Sequence, residues 1–336
     1  MKKKSVKVKK KIHISLISGG PSREHEVSVR TARVIAKNLD KNRYSLTRIF
    51  ISKTGVWKFP DSAKKFDHLD AVTYLKKKVC PDIAFIALHG TFGEDGTIQT
   101  LFDSVGIRYT GSGVLASTLA MDKCASLALY KYAGLRVPKT ILLSPHSLSH
   151  SQEAVEEAKA FGMPCVVKPA DSGSSVGVSI VKSLDEIAPA LVKAQESSSR
   201  IIVQEYIQGD EVTCAVLDEH EGAIALPPTH IIPQSSAFFD YHAKYTKGAT
   251  QEITPPQLPA KVIDKIQESA LVAHHLLGCR GISRTDMLVR AGKIYMLETN
   301  TIPGMTETSL YPQAAAAVGI TFPQLLNKII ETARTR

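Results

Sequence analysis

Apolar residues recur with two different spacings along the chain, and each spacing predicts a different element. Residues 12–17, IHISLI, and residues 81–88, PDIAFIAL, are short apolar runs typical of buried strands. Between them, apolar residues recur at helical spacing up to about Asn38, which predicts a helix with one buried face. Helices that alternate with buried strands indicate an α/β domain, which we assign to residues 12–120.

After residue 120 the pattern changes to shorter alternating elements. A helix over 121–134 ends at a glycine, and the apolar segment TILL that follows predicts a short strand. This succession predicts an α+β domain over residues 121–212. Its further predicted elements are helices at 151–161 and 184–195, strands at 164–168, 178–181 and 201–205, and a loop at 170–177.

A third region, residues 213–336, is expected to form another α+β domain. It contains a polar stretch, residues 233–256, in which apolar residues show little periodicity. A stretch of this length without secondary structure is usually a functional loop, such as an active-site lid, or is disordered. We therefore predict a mobile loop over this stretch.

The third region also carries two carboxylates on adjacent predicted strands. GISRTDMLV places Asp286 on one strand, and MLETN places Glu298 and Asn300 on the next. The likeliest turn between these strands is RAGK, around Gly292. A hairpin centred on Gly292 pairs Asp286 with Glu298, and Asn300 lies two residues further along the same face. Such oxygen ligands favour a divalent cation such as magnesium. The alternative is an ion-pair network in which Arg284, on the same face, supplies the positive charge.

A glycine- and serine-rich loop between two predicted strands suggests a phosphate site. VVKPADSGSSVGVSIV, residues 166–181, places Lys168 at the end of a strand and small residues after it. Backbone N–H groups of small residues can close around an anion, and a lysine adds positive charge. The loop is not a P-loop, since its glycine and lysine spacing differs and a strand follows it. Together with the two carboxylates it favours a nucleotide-phosphate site.

Composition narrows the class of protein. With 336 residues and 43% hydrophobic residues, the chain can form two or three domains. No apolar run approaches the roughly 18–20 residues that span a membrane. Seven lysines in residues 1–11 supply most of the net charge of +10; this tail is expected to be disordered, or alternatively a nucleic-acid or membrane-surface arm. Five scattered cysteines without metal-binding spacing indicate reduced thiols and a cytoplasmic protein.

Five segments carry a family resemblance that covers the chain from about residue 12. They are, in order, GGPSREHEVS, LHGTFGEDG, KPADSGSSVGVS, GISRTDMLV and ETNTIPGMTETSLYP. Together they resemble the ATP-grasp enzymes and, among these, the D-alanine–D-alanine ligase family. The resemblance implies a three-domain α/β (α+β) fold, in which an N-terminal parallel-sheet domain precedes two α+β domains that clamp ATP. It also implies a homodimer.

The activity implied by the resemblance is ATP-dependent joining of two D-alanines to D-alanyl-D-alanine for peptidoglycan precursors. The reaction would pass through an acyl phosphate and release ADP and phosphate. Ligation with D-lactate or D-serine as second substrate is the alternative within the enzymes. A nucleotide- or nucleic-acid-binding protein without turnover is the alternative from another class, and only the lysine tail supports it.

The resemblance also implies how ATP and metal ions are bound. Lys123 and Lys168 would hold the α and β phosphates, loop 172–177 would cover the β and γ phosphates, and Glu211 would meet the ribose. Gln204 stands where the family usually has an acid, which weakens the assignment of the adenine contact. The implied ATP residues are Lys123, Lys168, Ser174, Ser175, Val176, Gln204, Glu205, Tyr206, Ile207 and Glu211. The implied ligands of two Mg²⁺ or Mn²⁺ ions are Asp286, Glu298 and Asn300.

For the first D-alanine, the resemblance implies that Glu24 holds the ammonium group and that His89 lies beside the carboxylate. A lone histidine is otherwise more often a structural residue with both nitrogens satisfied. Arg284 would stabilise charge that develops on phosphate and carbonyl oxygens. The N–H of Gly304 would bind the oxyanion of the tetrahedral intermediate.

The second D-alanine would bind through its carboxylate. Ser309 is the predicted N-cap of the helix LYPQAAAAV, where backbone N–H groups, with Leu310, form an anion site, and Lys244 would add a cation. Tyr245 would close the site through a link from the first-substrate glutamate to Ser174. A tyrosine at this position favours D-alanine as the second substrate.

Overall fold

Three sheets organise the part of the chain that the computed structural model describes, which is residues 10–149, 151–174, 176–234, 248 and 250–335. The first sheet has the order β3-β2-β1-β4, and β1 is parallel to both β2 and β4. The first-sheet strands are β1 Ile12–Gly19, β2 Tyr44–Ile51, β3 Trp57–Lys58 and β4 Ile83–Ile86. The helices nearby are α1 His25–Asn38, α2 His68–Tyr74, α3 Thr97–Ser104 and α4 Val114–Met121, and a π-helical turn covers Leu75–Val79.

Sequence reasoning predicted β1, α1 and β4 but missed β2. In β2, buried and more exposed side chains are mixed, so the strand lacks the continuous apolar run that identified its neighbours. The antiparallel edge strand β3 was also missed, since two residues are too short for a pattern. The first sheet is therefore parallel at its centre with one antiparallel edge.

The second sheet is antiparallel throughout and has the order β5-β8-β6-β7. Its strands are β5 Thr140–Leu142, β6 Cys165–Pro169, β7 Ser179–Val181 and β8 Ile201–Glu205. The helices of this region are α5 Lys123–Tyr132, α6 Pro145–Ser149, α7 Ser151–Phe161 and α8 Ile187–Gln195, with a 3₁₀ turn at Leu184–Glu186. The elements predicted over 121–205 are confirmed, with shifts of a few residues at their ends.

The third sheet has the order β12-β11-β9-β13-β14, with β10 paired to β9. Its strands are β9 Asp210–Glu219, β10 Gly222–Ala225, β11 Thr229–Pro233, β12 Thr250–Ile253, β13 Ile282–Arg290 and β14 Lys293–Asn300. The helices are α9 Ala260–Leu276, α10 Leu310–Ala317 and α11 Phe322–Arg334. The predicted loop 233–256 is wrong at its C-terminal end, because β12 pairs with β11 there. Residues 235–247 lie outside the described residues.

Hydrophobic packing crosses the expected domain boundaries. Ile14 of β1 and Leu217 of β9 belong to one buried cluster with Leu325 of α11, so the first and third sheets share a core. Tyr130 of α5 packs with Met287 of β13 in another cluster, so this helix packs on the third sheet. The expected boundary at 120/121 falls inside α4, and that at 212/213 falls inside β9.

No helix in the described ranges is long and apolar enough to cross a membrane. Residues 1–9 of the lysine tail lie outside the described residues, and Lys10 and Lys11 are exposed. All five cysteines are free thiols.

Candidate active site

The hairpin of β13 and β14 brings the two predicted metal-binding carboxylates together. Its turn is the predicted segment RAGK, residues 290–293, but the centre lies between Ala291 and Gly292. Arg290 pairs with Lys293, and Ala291 and Gly292 both have positive φ, of 49° and 71°. These values are typical of a two-residue hairpin turn. A centre at Gly292 is therefore wrong, and a uniform ladder from this turn would leave the two carboxylates out of register.

A β-bulge restores the predicted pairing. The register shifts between Asp286 and Met287, so that Leu297 is an extra residue on β14. Beyond this point Asp286 pairs with Glu298, and Arg284 pairs with Asn300. The predicted pairing of the carboxylates is thus confirmed. It results from a turn centred before Gly292 together with a bulge, and the prediction included neither feature.

Asp286 is held in one orientation by its neighbours. Arg284 donates from Nε to Oδ1 at 3.0 Å and from Nη2 to Oδ2 at 2.9 Å, while Thr213 donates from Oγ1 to Oδ1 at 2.6 Å. The Asn300 amide nitrogen points to Oδ2 at 3.3 Å, which leaves its carbonyl oxygen for another partner. Burial lowers the pKa of Arg284, but attraction from Asp286 outweighs it, so the guanidinium stays charged.

Lys123 connects the second carboxylate, Glu298, to the predicted phosphate loop, residues 172–177. Its Nζ lies 3.1 Å from Glu298 Oε2 and donates to the carbonyl oxygen of Ser172 at 2.7 Å. The lysine occupies the first position of α5, where the Asp122 side chain caps the helix by accepting from two backbone N–H groups. A buried lysine in this place can contact a carboxylate or a phosphate oxygen.

Both predicted interpretations of the carboxylates are compatible with this geometry. Arg284 and Lys123 form the ion pairs of the alternative. The set also presents the hard oxygen donors that magnesium prefers, two carboxylates and an amide carbonyl on one face. No group of three or more His, Cys, Asp or Glu side chains suited to a metal occurs in the part of the chain described. The oxygen set fits a divalent ion whose remaining ligands come from phosphate or water.

Two cavities meet at this hairpin. The substrate cavity contains most of the residues predicted to bind amino-acid substrates, and the nucleotide cavity contains most of those predicted to bind ATP. The substrate cavity is lined by Glu24, His89, Ser174, Arg284, Asn300, Gly304, Ser309 and Leu310, among others. The nucleotide cavity is lined by Lys168, Val176, Gln204, Glu205, Tyr206, Ile207, Glu211 and Asp286, among others. Lys123, Ser172 and Glu298 line both cavities.

Gln204 has a fixed amide orientation in the nucleotide cavity. The Thr140 hydroxyl donates to the carbonyl oxygen of Pro138 at 3.0 Å, so its oxygen can accept from Gln204 Nε2 at 2.9 Å. The amide nitrogen is therefore engaged by the protein. The amide oxygen remains as the acceptor that this side chain can offer to a base.

His89 is a satisfied histidine in the substrate cavity. Burial lowers the pKa of His89, so the ring is neutral at physiological pH. The carbonyl oxygen of Ile302 can only accept, so Nδ1 donates to it at 3.0 Å; Nε2 then accepts from the Thr31 hydroxyl at 2.9 Å. With both nitrogens engaged, the geometry matches the structural alternative, in which His89 positions the segments around it.

Glu94 is a buried carboxylate of the cavity that sequence reasoning did not assign. Its Oε2 accepts from the N–H of Gly90 at 2.8 Å, and its Oε1 accepts from the N–H of Ile302 at 2.9 Å. Burial, with repulsion from Glu24, raises the pKa of Glu94 to about 8. Its position in the acidic glycine loop HGTFGEDG was the only available signal, and tertiary contacts decide its role.

Two glycines lie against the carboxylate of Glu24. A Cβ atom on Gly90 would lie 2.8 Å from Glu24 Oε2, and one on Gly173 would lie 3.2 Å from the same oxygen. Gly173 belongs to the predicted phosphate loop, whereas Gly90 follows β4. Glu24, the residue predicted to hold the first substrate, therefore lies where the first and second sheets face each other.

Ser309 occupies the N-cap position of α10 as predicted, but its hydroxyl makes no cap bond to the helix. Instead its oxygen accepts from the N–H of Thr306 at 2.9 Å. A Cβ atom on Gly304 would lie only 2.9 Å from this oxygen. The predicted oxyanion residue and the predicted second-substrate residue are thus in close contact. Ser175, Lys244 and Tyr245 lie outside the described residues.

Two family models match the chain. The model described as D-ala D-ala ligase N-terminus matches residues 13–112, and the model described as D-ala D-ala ligase C-terminus matches residues 129–331. The chain belongs to the D-alanine–D-alanine ligase family.

Comparisons with single members of the family give the same result. A D-alanine--D-alanine ligase of Syntrophobacter fumaroxidans is 44% identical over 327 residues, which cover 96% of this chain and 98% of that protein. The solved VanG D-Ala:D-Ser ligase of Enterococcus faecalis has a TM-score of 0.81 at 33% identity, covering 96% of this chain and all of that one.

The D-alanine--D-alanine ligase of Bacillus anthracis, solved in complex with ATP, has a TM-score of 0.79 at 35% identity. This match covers 97% of this chain and 99% of that one. The ATP-grasp fold implied by the sequence motifs is confirmed by these matches.

Proposed function

We propose that this protein joins two D-alanines to D-alanyl-D-alanine in the cytoplasm, with conversion of ATP to ADP and phosphate, for peptidoglycan precursors. One observation carries the proposal: the substrate and nucleotide cavities share Lys123, Ser172 and Glu298. Such a junction allows a carboxylate in one cavity to reach a phosphate that extends from the other. Family membership supports ATP as the co-substrate.

In the first step, a carboxylate oxygen of the first D-alanine attacks the γ-phosphate and ADP leaves, giving an acyl phosphate. Glu24 holds the ammonium of this substrate, while Lys123 and Lys168 neutralise phosphate charge. His89 and Glu94 position the backbone around the substrate through their bonds to Ile302 and Gly90. Little of this step requires a protein nucleophile, because positioning supplies much of the rate enhancement.

In the second step, the free amine of the second D-alanine attacks the acyl carbonyl. The tetrahedral intermediate expels phosphate, and the amine loses its proton to complete the peptide bond. Arg284 stabilises negative charge on the carbonyl and phosphate oxygens, and the N–H of Gly304 binds the oxyanion. The Ser309–Leu310 end of α10 holds the second carboxylate.

Asp286, Glu298 and Asn300 are the residues that would hold magnesium or manganese. When bound, such ions neutralise phosphate charge and favour displacement at phosphorus. The bonds that Arg284 and Lys123 now make to the carboxylates keep these acids oriented. Thr213 adds a third contact to Asp286 from the neighbouring strand.

D-Serine as the second substrate is a second candidate. The observation that favours it is the similarity to the VanG D-Ala:D-Ser ligase of Enterococcus faecalis. Tyr245, which favours D-alanine, and Lys244, as the cation for the second carboxylate, stay predictions. D-Lactate as an alternative substrate and the homodimer stay predictions as well.

Magnesium-dependent phosphate release from ATP tests the proposal, with D-alanine compared against L-alanine and the product identified by mass spectrometry. We expect release and dipeptide formation with D-alanine and neither with L-alanine. Equal release with both enantiomers, or none with either, contradicts the proposed function. A preference for mixed D-alanyl-D-serine over D-alanyl-D-alanine at equal concentrations favours the second candidate.

A further inference from the structure

Glu252 is a carboxylate of the substrate cavity to which neither the sequence motifs nor the proposed mechanism gives a role. Glu252 of β12 lines this cavity together with Arg284, Ser309 and Leu310. Its Oε2 accepts a hydrogen bond from Gln313 Nε2 at 2.7 Å. In the described part of the chain Glu252 forms no salt bridge, although the positive charge of Arg284, which is paired with Asp286, acts on it.

The bond to Gln313 places Glu252 at the end of the cavity where α10 begins. Gln313 lies one turn after Ser309, and its Nε2 also donates to the carbonyl oxygen of Thr308 at 3.2 Å. The amide therefore connects Glu252 to the first turn of the helix that would hold the second substrate's carboxylate. Burial raises the pKa of Glu252, while the bond from Gln313 and the positive charge of Arg284 lower it in part.

The charges of the substrates explain what such a carboxylate can do. D-Alanine is a zwitterion, and each of two D-alanines in this cavity brings an ammonium group as well as a carboxylate. Glu24 is assigned to only one of these ammonium groups. D-Lactate carries a hydroxyl in place of the ammonium and is a net anion, so a nearby carboxylate disfavours it.

We propose that Glu252 attracts the ammonium of the second substrate and so selects amino acids over hydroxy acids at that subsite. The proposal rests on the proposed ligase function and deepens it. It separates D-alanine from D-lactate, but not D-alanine from D-serine, because both amino acids are zwitterions. A charge effect should therefore alter the preference for D-alanine over D-lactate but not that over D-serine, whereas a change in the shape of the site should alter both.

The experiment is a product competition with the full chain, ATP and magnesium. D-Alanine is mixed with D-lactate, or in a separate reaction with D-serine, and the products are quantified by mass spectrometry. For Glu252→Gln, which keeps an acceptor for Gln313, we expect the ratio of D-alanyl-D-alanine to D-alanyl-D-lactate to fall about tenfold, the size expected for one hydrogen bond to a charged group. The ratio of D-alanyl-D-alanine to D-alanyl-D-serine should change less than about twofold, which is roughly the effect of a surface substitution that removes no specific interaction.

Three further variants make the result specific. Glu252→Asp keeps the charge and should retain most of the preference, whereas Glu252→Asn removes the charge and should lose it. Glu307→Gln is the matched control, because Glu307 is exposed and does not line the cavity; it should behave as wild type. The KM for ATP checks that each variant keeps its nucleotide site.

An unchanged lactate ratio in both Glu252→Gln and Glu252→Asn overturns the inference, and so does an equal fall in the serine ratio. These outcomes leave the ligase function intact, because wild-type dipeptide synthesis is measured in the same reactions. Absence of any dipeptide from the wild-type protein instead contradicts the proposed function on which the inference rests.

Discussion

Asp286 and Glu298 face each other across the β13–β14 hairpin because a bulge at Leu297 compensates for a two-residue turn at Ala291 and Gly292. Without the bulge, the regular ladder set by the turn would place Leu297 opposite Asp286. The bulge thus brings the two carboxylates opposite each other on the same face of the hairpin. Bulges are frequent beside active sites for this reason.

Glu298→Gln is expected to lower magnesium-dependent phosphate release at least about a hundredfold, since it removes charge from a proposed metal ligand at the junction of the cavities. The fold should remain, because glutamine has the same shape. Phosphate release over a magnesium titration measures the loss, and thermal unfolding checks the fold. Glu219→Gln, which breaks only the salt bridge to Lys328, is the control. Near-normal release at saturating magnesium argues against the metal assignment.

Glu94→Gln is expected to change how stability depends on pH. Because the pKa of Glu94 is raised from 4.5 to about 8 in the folded protein, its favourable contribution is complete below pH 4.5 and decreases as pH rises toward 8. The wild type should therefore lose more stability than the variant between these limits. Thermal unfolding at several pH values measures the difference.

The same variant also leaves one buried N–H, of Gly90 or Ile302, without its carboxylate acceptor. This costs on the order of 1–3 kcal/mol of stability at low pH. Parallel pH profiles for the two proteins would show that Glu94 titrates normally in the folded state.

Gly304→Ala is expected to lower kcat/KM for the second substrate severalfold while the KM for ATP stays constant. The added methyl group would lie 2.9 Å from Ser309 Oγ and must displace it, whereas the N–H of residue 304 is retained. Steady-state kinetics with D-alanine measure the effect.

A double-mutant cycle isolates the cause. Ser309→Ala removes the oxygen that the methyl group meets, so Gly304→Ala should cost less in the Ser309→Ala background than in the wild type. Additive losses would mean that the two residues act separately.

Thr140→Val is expected to weaken discrimination between ATP and GTP by up to about tenfold. Valine cannot accept from Gln204 Nε2, so the amide can rotate and offer a donor as well as an acceptor to the base. Initial rates with each nucleotide measure the ratio, and the KM for D-alanine should not change. A constant ratio would show that Thr140 does not orient this amide during catalysis.

Local pattern was sufficient for most of the elements near the site. β1, α1, β6 and β8 follow from short apolar runs and helical spacing, because burial on one or both faces imposes that periodicity. β2 escaped prediction because it mixes buried and exposed positions without a clear period, and β12 because none of its four positions is buried. The five motifs, in their order along the chain, indicated the family, and the family indicated which residues to expect in the site.

The sequence by itself determined which residues bring charge and oxygen ligands to the hairpin and the loops, since residue type and spacing are local properties. Tertiary structure alone decided how those charges are satisfied. In the folded protein both ring nitrogens of His89 are hydrogen-bonded, and Glu94 is buried between Gly90 and Ile302. Glu252 lines the substrate cavity. The contacts of Ile302 with His89 and Glu94 join residues 213 and 208 positions apart, and local sequence spacing holds no information on such contacts.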